Sequence, residues 1–254
     1  MEDTDVKKFW NERAWRGSYA GTNDLLIKQL EISKLEEFFS DGKSVFEIGC
    51  GNGESALYFG SRFQVSIDAM DFAANMITVA MNAQEQALCL RGQLKFVVGD
   101  IRHYETSSRY DLIYCQRALI NLGSWEEQEK AIRRILSWLN IGGLFLMCEN
   151  SSNGLEKINN YRRAVGLTPV EPPWHNKYFL EAEVASIRVP GIVLDRVDSF
   201  SSTYYFLSRV VNAALAAEAG KEPNYEDPIN HLALKLPAIN DCGQTKLWVW
   251  RRVE

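Results

Sequence analysis

Between residues 44 and 150 the chain alternates short apolar runs with amphipathic stretches. The runs are SVFEIG (44–49), FQVSIDAM (63–70), LKFVVGD (94–100), YDLIYCQ (110–116) and GLFLMCE (143–149). Runs this short, separated by helical segments, predict a parallel sheet with helices on both faces. The plainest helix is SWEEQEKAIRRILSWL (124–139), which opens on Ser124 with Glu127 three residues later, as a capping box does, and is predicted to stop at the glycines of NIGG. Its residues Ala131, Ile132, Ile135, Leu136 and Leu139 share one face, which should lie against the sheet. Beyond 150 the rhythm changes. TPVEPPWHNKYF (168–179) reads as a proline-rich loop, GIVLDRVDSF (191–200) as a sixth strand, YFLSRVVNAALAAEA (205–219) as a helix, DPINHLALKL (227–236) as a short helix and TKLWVWRRV (245–253) as a last strand. At the other end, the aromatic, turn-rich segment FWNERAWRGSYAGTND (9–24) precedes an amphipathic helix, LLIKQLEISKLEEFF (25–39). With no internal repeat or low-complexity linker, 1–254 is expected to be a single domain: an N-terminal segment (1–40), a core (44–150) and later elements (151–254).

Composition adds exclusions. At 46% hydrophobic and 24% charged, the 254 residues suit a globular chain with a sizeable core. A formal charge of -5 argues against nucleic acid as a partner, since phosphate neutralisation needs a cationic surface. The pairs Arg133-Arg134, Arg162-Arg163 and Arg251-Arg252 read as solvated faces. No apolar run approaches the ~18 residues of a membrane span, and MEDTDVKKFW is too polar for a secretory signal. The five cysteines, at 50, 89, 115, 148 and 242, include no CxxC pair. A cytoplasmic enzyme without disulfides, metal or membrane partner is the expectation.

The chemistry starts at SVFEIGCGNGES (44–55), a strand entering a glycine turn. A dinucleotide fingerprint, G-x-G-x-x-G, would need glycine where Glu54 stands; the third glycine comes one residue early, at Gly53. The order is instead Glu47-x-Gly49-Cys50-Gly51-x-Gly53, with an acid two residues before the turn. That carboxylate would repel a pyrophosphate and attract an ammonium or sulfonium, so the turn favours a cationic cofactor.

Here the sequence resembles the class I S-adenosylmethionine-dependent methyltransferases of the small-molecule type, whose first motif runs acid-x-G-x-G-x-G. DFAANMITVA (71–80), VVGDI (97–101), YDLIYCQRALINL (110–122) and LSWLNIGGLFLMCEN (136–150) are similar to the family's later motifs, in order, with Asn140 and Ile141 where Lys and Pro are usual. The resemblance implies an α/β fold of the Rossmann-like, doubly wound kind. It would have a mostly parallel seven-stranded sheet, helices on both faces, an N-terminal helical lid and a helical insertion before the last strand. It also implies residue roles. Gly49, Cys50, Gly51 and Gly53 would let the backbone approach the cofactor, with Glu47 near its ammonium. Asp71 would accept the ribose hydroxyls, with Asp68 as its rival. Phe72 and Met76 would pack on the adenine, Asp100 and the Ile101 backbone would meet its polar edge, and Gln116 would stand beside the methyl group. Tyr19 and Gly21 are candidates for a lid over the methionine end, although Trp10, Trp15 and Tyr19 could equally pack the following helix onto the sheet.

Methyl transfer from a sulfonium is an in-line displacement, and a hydroxyl acceptor needs a base where a neutral amine does not. His175, in the loop after the fifth strand, and Glu149, at that strand's end, are the candidate bases; the alternative for His175 is loop packing. His103 is expected to be exposed and His231 to pack within its helix. Arg117, Asn121, Trp174, Tyr204, Tyr205 and Arg209 are candidates for the acceptor site, the arginines suiting an anionic acceptor or else pairing with nearby acids. The readings are a small-molecule O-methyltransferase on a sugar or natural-product hydroxyl, an N-methyltransferase on a small amine, and a non-catalytic cofactor binder. CQRALINL after strand four lacks the NPPY-type motif of nucleic-acid base methylation. The state of assembly is expected to be monomer or homodimer.

Overall fold

The computed structural model describes residues 3–254. Its strands are β1 (Ser44–Ile48), β2 (Ser66–Asp71), β3 (Gln93–Val98), β4 (Tyr110–Gln116), β5 (Leu139–Asn150), β6 (Ile192–Asp198) and β7 (Thr245–Arg252). Its helices are α1 (Asp3–Arg13), α2 (Leu25–Glu36), α3 (Glu54–Arg62), α4 (Ala74–Gln86), α5 (Trp125–Ser137), α6 (Ser152–Ala164), α7 (Glu181–Ser186), α8 (Ser202–Phe206), α9 (Asn212–Glu218) and α10 (Pro228–Ala233). The seven strands form one sheet in the order β3-β2-β1-β4-β5-β7-β6. Strands β1 to β5 pair in parallel, and β7 runs antiparallel to both β5 and β6. The chain moves outward from β1 through β2 to β3, then returns to β4 on the other side. That switch opens a crevice at the carboxyl ends of β1 and β4, where open α/β sheets bind ligands.

Alternation along the strands divides the core in two. From β4, Ile113 and Cys115 join Phe46, Phe145 and Trp248 on the face covered by Ile132, Ile135 and Leu136 of α5. Leu112 and Tyr114 join Val45, Leu146 and Val249 on the other, under Phe59 of α3 and Leu35 of α2.

Several boundaries differ from the sequence reading. The helix predicted to end at NIGG stops at Ser137, and β5 begins at Leu139 and runs through both glycines. A Cβ on Gly143 would meet the carbonyl oxygens of Asn140 and Tyr110 at 2.9 Å, beside the point where the β4–β5 register slips between Tyr110 and Leu112. These glycines therefore make a bulge rather than a helix stop. Helix α2 ends at Glu36, three residues short of the expected end. The helix expected over 205–219 starts at Ser202 and is interrupted by a π turn, Leu207–Val211, between α8 and α9. Helix α1 answers to the N-terminal helical lid the resemblance implied, but the residue pattern gave bounds neither for it nor for α6: each carries few apolar residues, and α6 is set off by Ser151, whose hydroxyl accepts from the Gly154 amide. His103 is exposed as expected, but His231 is exposed too, beside Glu226, instead of packed. No helix among the described residues is long and apolar enough to cross a membrane.

Candidate active site

The crevice at the switch point is a cleft open to solvent, with about 1180 Å³ of empty space counted out into that solvent. Its floor comes from the end of β1 and the turn after it (Glu47 to Asn52), and its walls from Asp71 and Phe72 after β2, Gly99 to Arg102 after β3, and Gln116 to Leu122 after β4. Val6 and Trp10 of α1, with Gly21, lie across it. The N-terminal segment is fastened there by Trp10 Nε1 donating to Asn121 Oδ1 (3.0 Å), by the Asn75 amide donating to Asn11 Oδ1 (2.9 Å) and by Asn52 Nδ2 donating to the Gly17 carbonyl (2.9 Å).

The three glycines of the turn all have positive φ, and each serves a different need. A Cβ on Gly49 would stand 2.4 Å from that of Ala118, so this glycine lets β1 and the β4 exit loop touch. A Cβ on Gly53 would meet Ala80 and Phe96 within 2.9 Å, so Gly53 seats α3 against its neighbours; it faces the protein and does not line the cleft. Gly51 faces open space, and its bare backbone is part of the cleft wall. The amides of Gly49 and Cys50 both donate to the Met70 carbonyl (2.7 and 2.9 Å), which ties the turn to β2.

Asp71 completes that tie. Its Oδ2 accepts from the Gly51 amide (2.9 Å) and its Oδ1 from the Ala73 amide (2.8 Å), while the carboxylate still lines the cleft. Burial pushes Asp71 up to about 6 against the pull of these amides. Its rival Asp68 accepts from the Tyr110 hydroxyl (2.7 Å) away from the cleft. Glu47, also buried, has no hydrogen-bond partner for Oε2 among the described residues. Burial pushes it up to about 8, opposed by the Tyr114 hydroxyl beside it. A buried carboxylate oxygen without a donor is costly, and a ligand cation in the cleft would relieve it. Asp100 is gripped by Arg102 (Nε to Oδ1 3.0 Å, Nη2 to Oδ2 2.6 Å); burial alone would raise it, but Arg102 outweighs that and holds it below the usual carboxylate range. Phe72, Met76, Ile101 and Gln116 also line the cleft, Gln116 accepting from the Ser55 hydroxyl (2.5 Å).

The candidate bases are placed elsewhere. Glu149 is fully buried behind the β4 exit loop, where Oε1 accepts from the amides of Ala118 (2.9 Å) and Leu119 (2.8 Å) and from the Cys115 thiol (3.3 Å), and Oε2 from the Ile120 amide (3.4 Å). Burial pushes it up to about 7, but its oxygens are committed to that loop and do not line the cleft. His175 packs among Phe9, Trp10 and Trp174 at ring distances of 4.4, 5.4 and 5.2 Å, behind α1 rather than in the cleft. Burial among rings, with Arg13 nearby, lowers it to about 4. The expectation of a base at either residue is therefore corrected.

Four acceptor candidates are corrected as well. Trp174 is exposed outside the cleft. Tyr204 donates to Asp24 Oδ1 (2.6 Å), Arg209 donates to Asp24 Oδ2 (2.5 Å), and Tyr205 shares a hydrogen bond with Thr245 (2.8 Å). Tyr204 and Arg209 join the insertion to the start of α2 and Tyr205 joins it to β7, instead of facing a ligand. Tyr19 likewise stands off the cleft, contributing its carbonyl to Arg13 Nη2 (2.6 Å). Arg117 and Asn121 do line it.

Two features escaped the sequence reading. Arg117 has φ 52, one of two left-handed residues other than glycine among those described, a conformation that costs an L-residue about 1–2 kcal/mol. Its amide donates to the Cys148 carbonyl (2.8 Å), and its Nε lies 3.0 Å from Glu31 Oε1. Glu31 is an acid on the buried stripe of α2, one helical turn from Ile27 and from Leu35, and that break in the apolar period was its only signal. Lys28, one turn earlier, lines the cleft and pairs with Glu54 (2.5 Å).

Part of the chain is similar to known proteins. Residues 45–143 match the family model of the methyltransferase domain. The chain is 24% identical over 194 residues to phosphoethanolamine N-methyltransferase 1 of Arabidopsis thaliana, covering 74% of this chain and 37% of that one. It is 31% identical over 145 residues to malonyl-[acyl-carrier protein] O-methyltransferase 2 of Ilyobacter polytropus, covering 55% and 53%. Among solved structures, the CcbJ methyltransferase of Streptomyces caelestis superposes with a TM-score of 0.57 at 13% identity over 88% of this chain and 94% of that one, a likeness of fold. The chain spans between about a third and just over half of the curated relatives it matches. Residues 45–143 thus carry the match to a methyltransferase domain, and the sheet order and helices give the chain the Rossmann-like fold of the solved methyltransferase structure it superposes on.

Proposed function

We propose that the chain transfers a methyl group from S-adenosylmethionine to a small molecule. One observation carries this reading: Glu47, with its unpartnered buried oxygen, the bare backbone of Gly51 and the Asp71 carboxylate meet in one cleft. When bound, S-adenosylmethionine supplies an electrophilic methyl group on a good leaving group. Glu47 would balance its ammonium, Asp71 would receive the ribose hydroxyls on lone pairs left over from its two amide bonds, and Asp100 would take the adenine amine. Phe72, Met76 and the Ile101 backbone would hold the base, and Cys50 and Gly49 the methionine part. Trp10 and Gly21 close the cleft from above and exclude water.

On the acceptor, the positions of Glu149 and His175 favour a nucleophile that needs no protein base: an amine lone pair or a carboxylate oxygen in place of a sugar hydroxyl. The relatives' names, an amine methylated in one and an O-methyltransferase of a malonyl group in the other, are compatible with both. Thermal unfolding with S-adenosylmethionine, S-adenosylhomocysteine and NAD in parallel tests the cofactor. A ligand at a hundred times its dissociation constant adds about 2.7 kcal/mol, a rise of roughly 5 to 10 °C for this length. We expect it with the first two only, and a rise with NAD alone would discard the reading.

A further inference from the structure

Three cationic side chains line the cleft: Lys28, Arg102 and Arg117. Lys28 is engaged by Glu54 and Arg102 by Asp100. Arg117 lies with Nε 3.0 Å from Oε1 of its partner, Glu31, and its side chain keeps 19% of its surface exposed while that of Glu31 keeps none. The pair thus has its negative member sealed under α2, while its positive member belongs to a residue that lines the cleft.

Resting on the methyltransferase reading, we infer that the acceptor carries an oxyanion group, a carboxylate or a phosphate, and that the terminal nitrogens of Arg117 hold it. A guanidinium presents two parallel donors at the spacing of two oxygens of one such group. A role confined to neutralising Glu31 does not account for the arrangement. A buried ion pair is seldom more stable than an apolar pair of the same size, and here it is joined to a left-handed backbone at a bulky residue. What the strained backbone and the buried partner accomplish together is to fix the direction of the fork. Gln116, beside it in sequence, lines the same cleft, so an acceptor anchored at Arg117 reaches the end of β4 where its nucleophile is needed. A cationic anchor group is disfavoured beside Arg117, because Glu31 does not line the cleft, Glu54 and Asp100 are paired with Lys28 and Arg102, and Glu47 and Asp71 are assigned to the cofactor.

The test uses the full chain saturated with S-adenosylhomocysteine, titrated calorimetrically at constant ionic strength with inorganic phosphate, with acetate and with ethanolamine. Saturable binding of phosphate or acetate is expected, the tighter of the two identifying the oxyanion, and ethanolamine should not bind. Arg117→Met should weaken that anion at least tenfold, and Arg117→Lys should fall between, having the charge without the fork. S-adenosylhomocysteine affinity should stay within about twofold in both. Because Arg117→Met leaves Glu31 uncompensated, the double variant Glu31→Gln/Arg117→Gln, which buries no lone charge, provides a folded protein that should also lose the anion. Absence of anion binding in the loaded protein, equal binding in the variants, or binding of ethanolamine instead overturns the proposal. The same titrations without S-adenosylhomocysteine keep the two readings apart: if that ligand fails to bind, the cofactor reading falls and Arg117 is judged on its anions alone.

Discussion

At the scale of single residues, Asp71 shows how a motif position can hold two functions at once. The sequence suggests a ribose acceptor, and a variant that loses the ligand but keeps the fold. The structure adds that the same carboxylate fastens the Gly51 and Ala73 amides. Asp71→Ala should therefore lower S-adenosylhomocysteine affinity by a hundredfold or more, as expected for losing charge-assisted bonds of about 1.5–3 kcal/mol each, and should lower the melting midpoint too. Asp71→Asn, which keeps one oxygen for an amide, should recover much of the midpoint and little of the affinity. Calorimetric titration and thermal unfolding of both variants check this, and normal affinity in Asp71→Ala would remove the residue from the site. That Asp71 reaches the cleft and Asp68 does not was legible from strand position, since Asp71 ends β2. That Asp68 is occupied by Tyr110 was not, because the two are 42 positions apart and meet only across the folded sheet.

At the scale of elements, the five strands of the core were readable because each is a short apolar run between helical segments. The failures share a cause. Helix α1 is too polar to show a stripe, α6 depends on a Ser151 cap, and the β5 bulge uses glycines that resemble a helix stop. Glu149 was misread for a related reason: an acid at a strand end resembles a catalytic group, and only the folded chain shows three consecutive amides converging on it. Glu149 positions the loop that carries Arg117 and Asn121. Glu149→Gln replaces an acceptor oxygen with a donor facing those amides, and should cost about 3 kcal/mol, or roughly 5 to 10 °C, with faster hydrogen exchange over 117–121. A general base would behave oppositely, losing turnover at unchanged midpoint and exchange.

At the scale of the whole molecule, burial has raised four carboxyls together: Glu47 to about 8, Glu149 to about 7, Asp71 to about 6, and Glu31, whose rise Arg117 opposes. Each has a folded value above its unfolded one, so the folded state holds more protons. Their contribution is then fully present below the unfolded values and is lost as pH rises through the folded ones. His175, lowered to about 4, acts in the opposite direction, since the unfolded chain gains its proton first as pH falls below 6.5. Between pH 8 and pH 6 the carboxyls dominate, and acidification should stabilise the free protein by on the order of 3 kcal/mol. Thermal midpoints across that range should rise by roughly 5 to 10 °C. Saturating S-adenosylhomocysteine should flatten the slope, because an ammonium beside Glu47 keeps its carboxylate ionised and removes that group's proton uptake from the folded state. Its affinity should accordingly increase with pH as Glu47 gives up its proton. Midpoint curves that run parallel with and without the ligand would mean that Glu47 does not meet the ammonium, and the unpartnered oxygen of Glu47 would then have to be met by some other donor.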